Sequence, residues 1–86
     1  MFAYDLDDKL IFKFKKIAKK NHLLYDMIFK KIKQITKNPQ LCKPLKNRLK
    51  NKRRAHIGHF VLVYEIDEEI SRIVFLDFDH HDNIYD

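Results

Sequence analysis

The sequence predicts an α+β domain with the element order β-α-α-β-β-β, a helical hairpin packed on a small antiparallel sheet. Three observations carry this. Apolar residues recur at helical spacing from Leu10 to Ile35, then at alternate positions after Pro44. The breaks fall at Asn38-Pro39, at Gly58 and at Asp67-Glu68-Glu69, residue types that make turns.

Each element follows from its residues. Phe2–Leu6 alternates Phe2, Tyr4 and Leu6 with smaller or polar neighbours, so a short strand opens the chain. Asp7 and Asp8 stand where a helix start needs a cap and first-turn acids, and Lys19 and Lys20 close the same helix. Both ends suit the helix dipole. Leu10, Ile11, Phe14, Ile17 and Ala18 share one face. Asn21 ends this helix and begins the next, whose stripe is Leu24, Met27, Ile28, Ile32 and Ile35. Pro39 stops it, because proline disfavours helix in the residue before. Three strands are expected at Leu45–Ile57, His59–Asp67 and Ile70–Phe78, with the polar tail His80–Asp86 ending the chain. The His59–Asp67 strand is apolar on both faces, with Phe60, Leu62, Tyr64 and Ile66 on one and Val61 and Val63 on the other. It should therefore be central, covered on one side by the helices.

Length and composition narrow the class. The 86 residues make one domain, and 45% apolar residues with seven Phe exclude a disordered tail despite 35% charged residues. No apolar run approaches the ~20 residues that span a bilayer. Met-Phe-Ala-Tyr-Asp is no secretory signal, so the expected location is cytoplasmic, without a membrane partner. The single cysteine, Cys42, can form neither an internal disulfide nor a CxxC knuckle.

Charge is uneven. The net +6 conceals a block, residues 9–54, with 17 bases against Asp26 alone. Within it, residues 43–54 (KPLKNRLKNKRR) hold seven bases and no acid. Lysines between Lys13 and Lys33 read as a solvated helix face. A basic run on a strand differs, because alternate residues put several charges on one face. Lys46, Arg48, Lys50, Lys52, Arg53 and Arg54 thus suit the phosphates of a nucleic acid, or an acidic protein partner. Composition does not separate the two.

Four of the five histidines fall in two segments, His56 and His59 in HIGH and His80 and His81 in DHHD. In a meander the start of the third strand lies beside the end of the fourth, so the segments converge. Imidazoles beside a cationic strand are what acid–base cleavage of RNA requires. One group takes the 2′-OH proton, another protonates the leaving 5′ oxygen, and cations stabilise the phosphorane. Histidine suits both steps because its unperturbed pKa is about 6.5. No metal or other cofactor is needed. Zinc is the competing use of these histidines with Asp79 and Asp82, but the spacing is no familiar site and a second sulfur is missing. His22 stands alone as a surface or packing residue, and Asp79 and Asp82 could equally cap the tail.

The runs KPLKNRLKNKRRAHIGHFVLVYEID and IVFLDFDHHDNIY, preceded by LIFKFKKIAKK and LLYDMIFKKIKQITKNP, resemble the RelE/ParE superfamily of type II toxins over nearly the whole chain. The resemblance rests on the NP-to-KPL spacing, the Ile-Gly turn before an apolar strand ending Tyr-Glu-Ile, and the His-His-x-x-x-Tyr ending. It implies a single RelE-like domain over residues 1–86, of the microbial ribonuclease type. The implied activity is ribosome-dependent mRNA cleavage that inhibits translation, and the implied partners are a cognate acidic RelB-like antitoxin, the ribosome and mRNA. The family's arginine two before the turn glycine falls on His56, its acid or amide after the glycine on His59, and its tyrosine on Phe60. Its next arginine falls on Val61, so Lys52, Arg53 or Arg54 would supply that charge. Its tail arginine falls on His81, after His80, and its terminal tyrosine on Tyr85. Histidines in place of arginines make the site similar to the YafQ-type branch, where histidines transfer protons. On this reading His81 is the general acid or base, His56 and His59 are the complementary partner and phosphate contact, Tyr85 is a base-stacking or orienting group, Asp82 orients a histidine, and His80 contacts the nucleic acid. A ParE-like gyrase inhibitor without nuclease chemistry, and a degenerate toxin that only binds antitoxin, share the same fold.

Overall fold

The computed structural model describes residues 2–42 and 52–84. Its elements are β1 (Ala3–Leu6), α1 (Asp8–Lys20), α2 (His22–Lys37), a 3₁₀ turn (Pro39–Leu41), β2 (Lys52–Ile57), β3 (Phe60–Asp67), β4 (Arg72–His80) and α3 (His81–Ile84). This is the expected α+β architecture, with one short helix added at the tail.

The helix ends lie where the side chains can satisfy them. Asp7 accepts the Lys9 N–H at 2.9 Å and caps α1. Asn21 serves two helices. Its N–H closes α1 on Ile17 O at 2.8 Å, and its side-chain oxygen caps α2 through Leu24 N at 3.1 Å. Leu10 and Phe14 of α1 and Ile28, Ile32 and Ile35 of α2 are buried against Ala55, Ile57, Leu62, Tyr64, Ile73, Phe75 and Phe78 of the sheet. A fully buried ring such as Phe75 would cost about 3–5 kcal/mol to replace by alanine.

The sheet order is β1-β4-β3-β2, which makes β3 interior, as its two apolar faces require. The opposite face carries a second cluster, Val61 and Val63 with Leu76 and Ile84.

Four expectations are corrected. The sheet is mixed, not purely antiparallel, because β1 lies parallel to β4 in the register Ala3↔Arg72 to Leu6↔Phe75. A strand without a hairpin partner takes whichever edge its connection reaches, and here Asp7 N bonds Phe75 O at 2.9 Å as α1 begins. The β3–β4 turn extends to Ser71, at φ 52°, so Ile70 is a turn tip and not the start of β4. At the other end β4 continues to His80, because Val61↔Asp79 and Phe60↔His80 extend the ladder. The tail then turns into α3, whose Ile84 covers Val61 and Val63. The described part of β2 begins at Lys52; the earlier part of the expected Leu45–Ile57 strand, with Lys46, Arg48 and Lys50, lies outside the described residues, as does Tyr85.

Candidate functional site

A two-residue hairpin joins β2 to β3. Gly58, at φ 61°, takes the first central position, where a side chain would be strained, and His59 the second. The third and fourth strands run antiparallel, so the end of β4 arrives beside this hairpin. His81 N donates to His59 O at 2.8 Å and fastens the two segments together.

The four histidines meet as two pairs. His56 stacks with His81, ring centroids 6.0 Å apart and planes inclined 26°. His59 stacks with His80 at 6.2 Å and 18°. The convergence expected from the meander is therefore present, but not as one cluster of four. His56 alternates with the buried Ala55 and Ile57 and so lies on the face away from the helices. His80 lies opposite Phe60 in the register, with its ring edge-on to Phe60 at 5.9 Å, on the helix side. The chain crosses the end of the sheet between His80 and His81.

Asp82 lies between the two pairs. Its carboxylate stands 3.7 Å from His80 Nδ1 and 3.6 Å from His81 Nδ1, too far for a hydrogen bond, and it attracts either ring only when that ring is protonated. The side chain is 83% exposed, so water screens the interaction. His80 Nδ1 also accepts the Asp82 N–H at 3.3 Å, which leaves the proton of the neutral ring on Nε2.

Asp79 anchors this corner. It accepts Asn83 Nδ2 at 3.0 Å and His80 N at 2.7 Å. Those two donors, with Lys13 nearby, hold its carboxyl below the usual carboxylate range. Lys13 reaches from α1 to Asp77 Oδ1 at 3.1 Å, Phe78 O at 2.9 Å and Asp79 at 3.8 Å. It thereby ties the helices to the strand that carries His80. Sequence reasoning passed over Lys13 as one of many surface lysines. The signal was its place between Leu10 and Phe14, on the buried side of the helix. Asn83, one helical turn after Asp79, was missed too.

The cations divide by face. Arg53 alternates with Lys52 and Arg54 and points to the helix side, where its guanidinium bonds Cys42 O and Gln40 Oε1. It is engaged in holding the turn after α2. The neighbouring Tyr64 hydroxyl, fully buried, donates to Pro39 O at 2.8 Å, and burial pushes its pKa far upward. Lys52 and Arg54 lie on the His56 face. Val61, where the resemblance lacked an arginine, is completely buried beneath this face as part of an apolar floor.

The sequence matches, over residues 4–85, the family described as ParE toxin of type II toxin-antitoxin system, parDE. The chain belongs to the RelE/ParE superfamily of type II toxins. It is 44% identical over 79 residues to a Methanocaldococcus jannaschii protein that carries the toxin name RelE4, covering 91% of this chain and 81% of that one. The fold is similar to the YoeB/ParE toxin from Agrobacterium tumefaciens, with TM-score 0.83 and 12% identity over 93% of this chain and 99% of that one. It is also similar to a chain of the intact E. coli RelBE toxin–antitoxin complex, with TM-score 0.79 and 12% identity over 93% of this chain and 96% of that one. At such identities the structural likeness is one of fold. Among the described residues, no helix of this toxin is long and apolar enough to cross a membrane.

Proposed function

We propose that this toxin is a ribosome-dependent mRNA endonuclease that cleaves by histidine acid–base chemistry. The observation that carries the reading is the His56–His81 stack at 6.0 Å on the same sheet face as Arg54. In the proposed step one imidazole takes the proton of a ribose 2′-OH as that oxygen attacks phosphorus. The bond from phosphorus to the 5′ oxygen breaks, and the other imidazolium protonates the leaving oxygen. The products are a 2′,3′-cyclic phosphate and a 5′-hydroxyl, and protons balance between the two rings. Arg54, two residues from His56 on the same strand face, supplies positive charge to the phosphorane, and Lys52, further along the strand, holds a neighbouring phosphate. His59 and His80 contact the substrate beyond the cleaved bond, Asp82 orients His81, and Tyr85 stacks on a base.

The partner that neutralises the toxin is an acidic antitoxin, in keeping with the RelBE complex that shares the fold. The 17 bases in residues 9–54 favour fast, salt-sensitive capture of such a chain. A second reading is gyrase inhibition without nuclease chemistry, favoured by the ParE description of the matching family and by the buried valine at the missing arginine. The two are separated by adding the purified toxin to a translating system and to a gyrase supercoiling reaction. New mRNA ends bearing 2′,3′-cyclic phosphate support the nuclease. Blocked supercoiling with intact mRNA would replace it by the second reading.

A further inference from the structure

Between α2 and the hairpin end of β2 lies a concavity of about 240 Å³, lined by Met27, Lys30, Lys31, Gln34, His56, Ile57 and Gly58. It holds two lysines and no acid, and it meets the edge strand β2 at His56, whose ring lies on the far face, so an RNA strand laid in it reaches the His56–His81 stack by passing over the strand edge. We propose that Lys30 and Lys31 bind the phosphate backbone of single-stranded RNA and position it for His56. This inference rests on the nuclease reading and adds its substrate track.

Several features favour RNA. Asp26 stands one helical turn before Lys30, the spacing of a helix ion pair, yet no acid among the described residues lies within ion-pair distance of Lys30 or Lys31. Both ammonium groups therefore remain available to a phosphate. Gly58 has open space where a side chain would stand, so a ligand can approach the backbone there closely. Met27, 41% exposed, offers an apolar surface to a ribose or base. On the other side of α2, Ile28, Ile32 and Ile35 are buried, so the lysines sit on a rigid element. They are positioning residues, since the reacting atoms belong to the histidine pair.

The test is anisotropy of a fluorescent single-stranded RNA titrated with the full-length toxin at several salt concentrations. Wild type is compared with a Lys30→Gln/Lys31→Gln variant, with Lys30→Arg/Lys31→Arg, and with Lys16→Gln/Lys19→Gln on α1 as a control of equal net charge. Circular dichroism verifies that each folds. Loss of two single-strand phosphate contacts should make the slope of log K against log salt shallower by about 1.4. Cleavage KM should rise about tenfold, more than kcat falls, and arginines should restore both binding and KM. An unchanged slope, or an equal loss in the α1 control, overturns the proposal. So does intact RNA binding with lost affinity for an acidic antitoxin peptide, which would assign the surface to the protein partner. The slope reads phosphate contact even in a toxin that cleaves nothing, so failure of the nuclease reading remains separately visible.

Discussion

His56 and His81 face each other with ring centroids 6.0 Å apart, one leaving the edge strand β2 and the other opening α3. Neither reaches this position through its own segment alone. The β2–β3 hairpin fixes the first, and the β3–β4 register, running to Phe60↔His80, delivers the second. A pair built this way should act as a unit. In a cycle of His56→Ala, His81→Ala and the double variant, single-turnover cleavage should fall about as far in either single variant as in both together. Multiplicative losses would mean that the two rings work independently.

Arg53 and Arg54 are neighbours with opposite assignments. Arg54→Ala should lower cleavage about 10²-fold or more, through lost stabilisation of the phosphorane. Arg53→Ala should instead cost about 1–2 kcal/mol by freeing Cys42 O and Gln40, with cleavage retained. Urea unfolding measured beside cleavage checks both. Exchanged phenotypes would show that the face assignment is inverted.

Tyr64→Phe removes only the hydroxyl bonded to Pro39 O. The carbonyl is left without that donor inside the protein, at a cost of about 1–3 kcal/mol. Denaturant unfolding should register this loss, with cleavage unaltered well below the melting temperature. A neutral substitution would mean that water replaces the hydroxyl.

Asp79 gives a pH signature at the tail. Its folded-state pKa is depressed by Asn83, the His80 N–H and Lys13, so its stabilising contribution is fully present above the unfolded value of about 3.9. The contribution is lost as pH falls through the lower folded value. The Asn83 side-chain amide resonance should follow that titration, and Asp79→Ala should flatten it while lowering the helical order of α3. An Asn83 amide that titrates identically in the variant would detach Asp79 from this role.

Much of this arrangement is legible in the chain. Asp7 and Asn21 cap as their residue types require, Gly58 makes the hairpin, and the two-sided apolar pattern of residues 60–66 puts β3 in the interior. The meeting of HIGH with DHHD follows from meander topology. The rest depended on long-range geometry. Ile70 is apolar and looks like strand, but the turn needs its position, and it ends 64% exposed. The parallel seat of β1 is decided by where the helical hairpin delivers the chain, which local spacing does not encode. Residues of the short α3 are polar, and its anchor, Ile84 on Val61 and Val63, appears only once the sheet has an uncovered face. Lys13 looked like another surface lysine until β4 supplied its acceptors, and Arg53 looked like one of the phosphate-binding bases until the turn after α2 engaged it.

The most direct test of the histidine mechanism is cleavage of ribosome-bound mRNA by wild type and by His81→Ala, each first shown to bind antitoxin with equal affinity. Removal of a proton-transfer group should reduce the cleavage rate by about 10²–10⁴-fold and abolish growth arrest. Undiminished cleavage by His81→Ala would contradict the account.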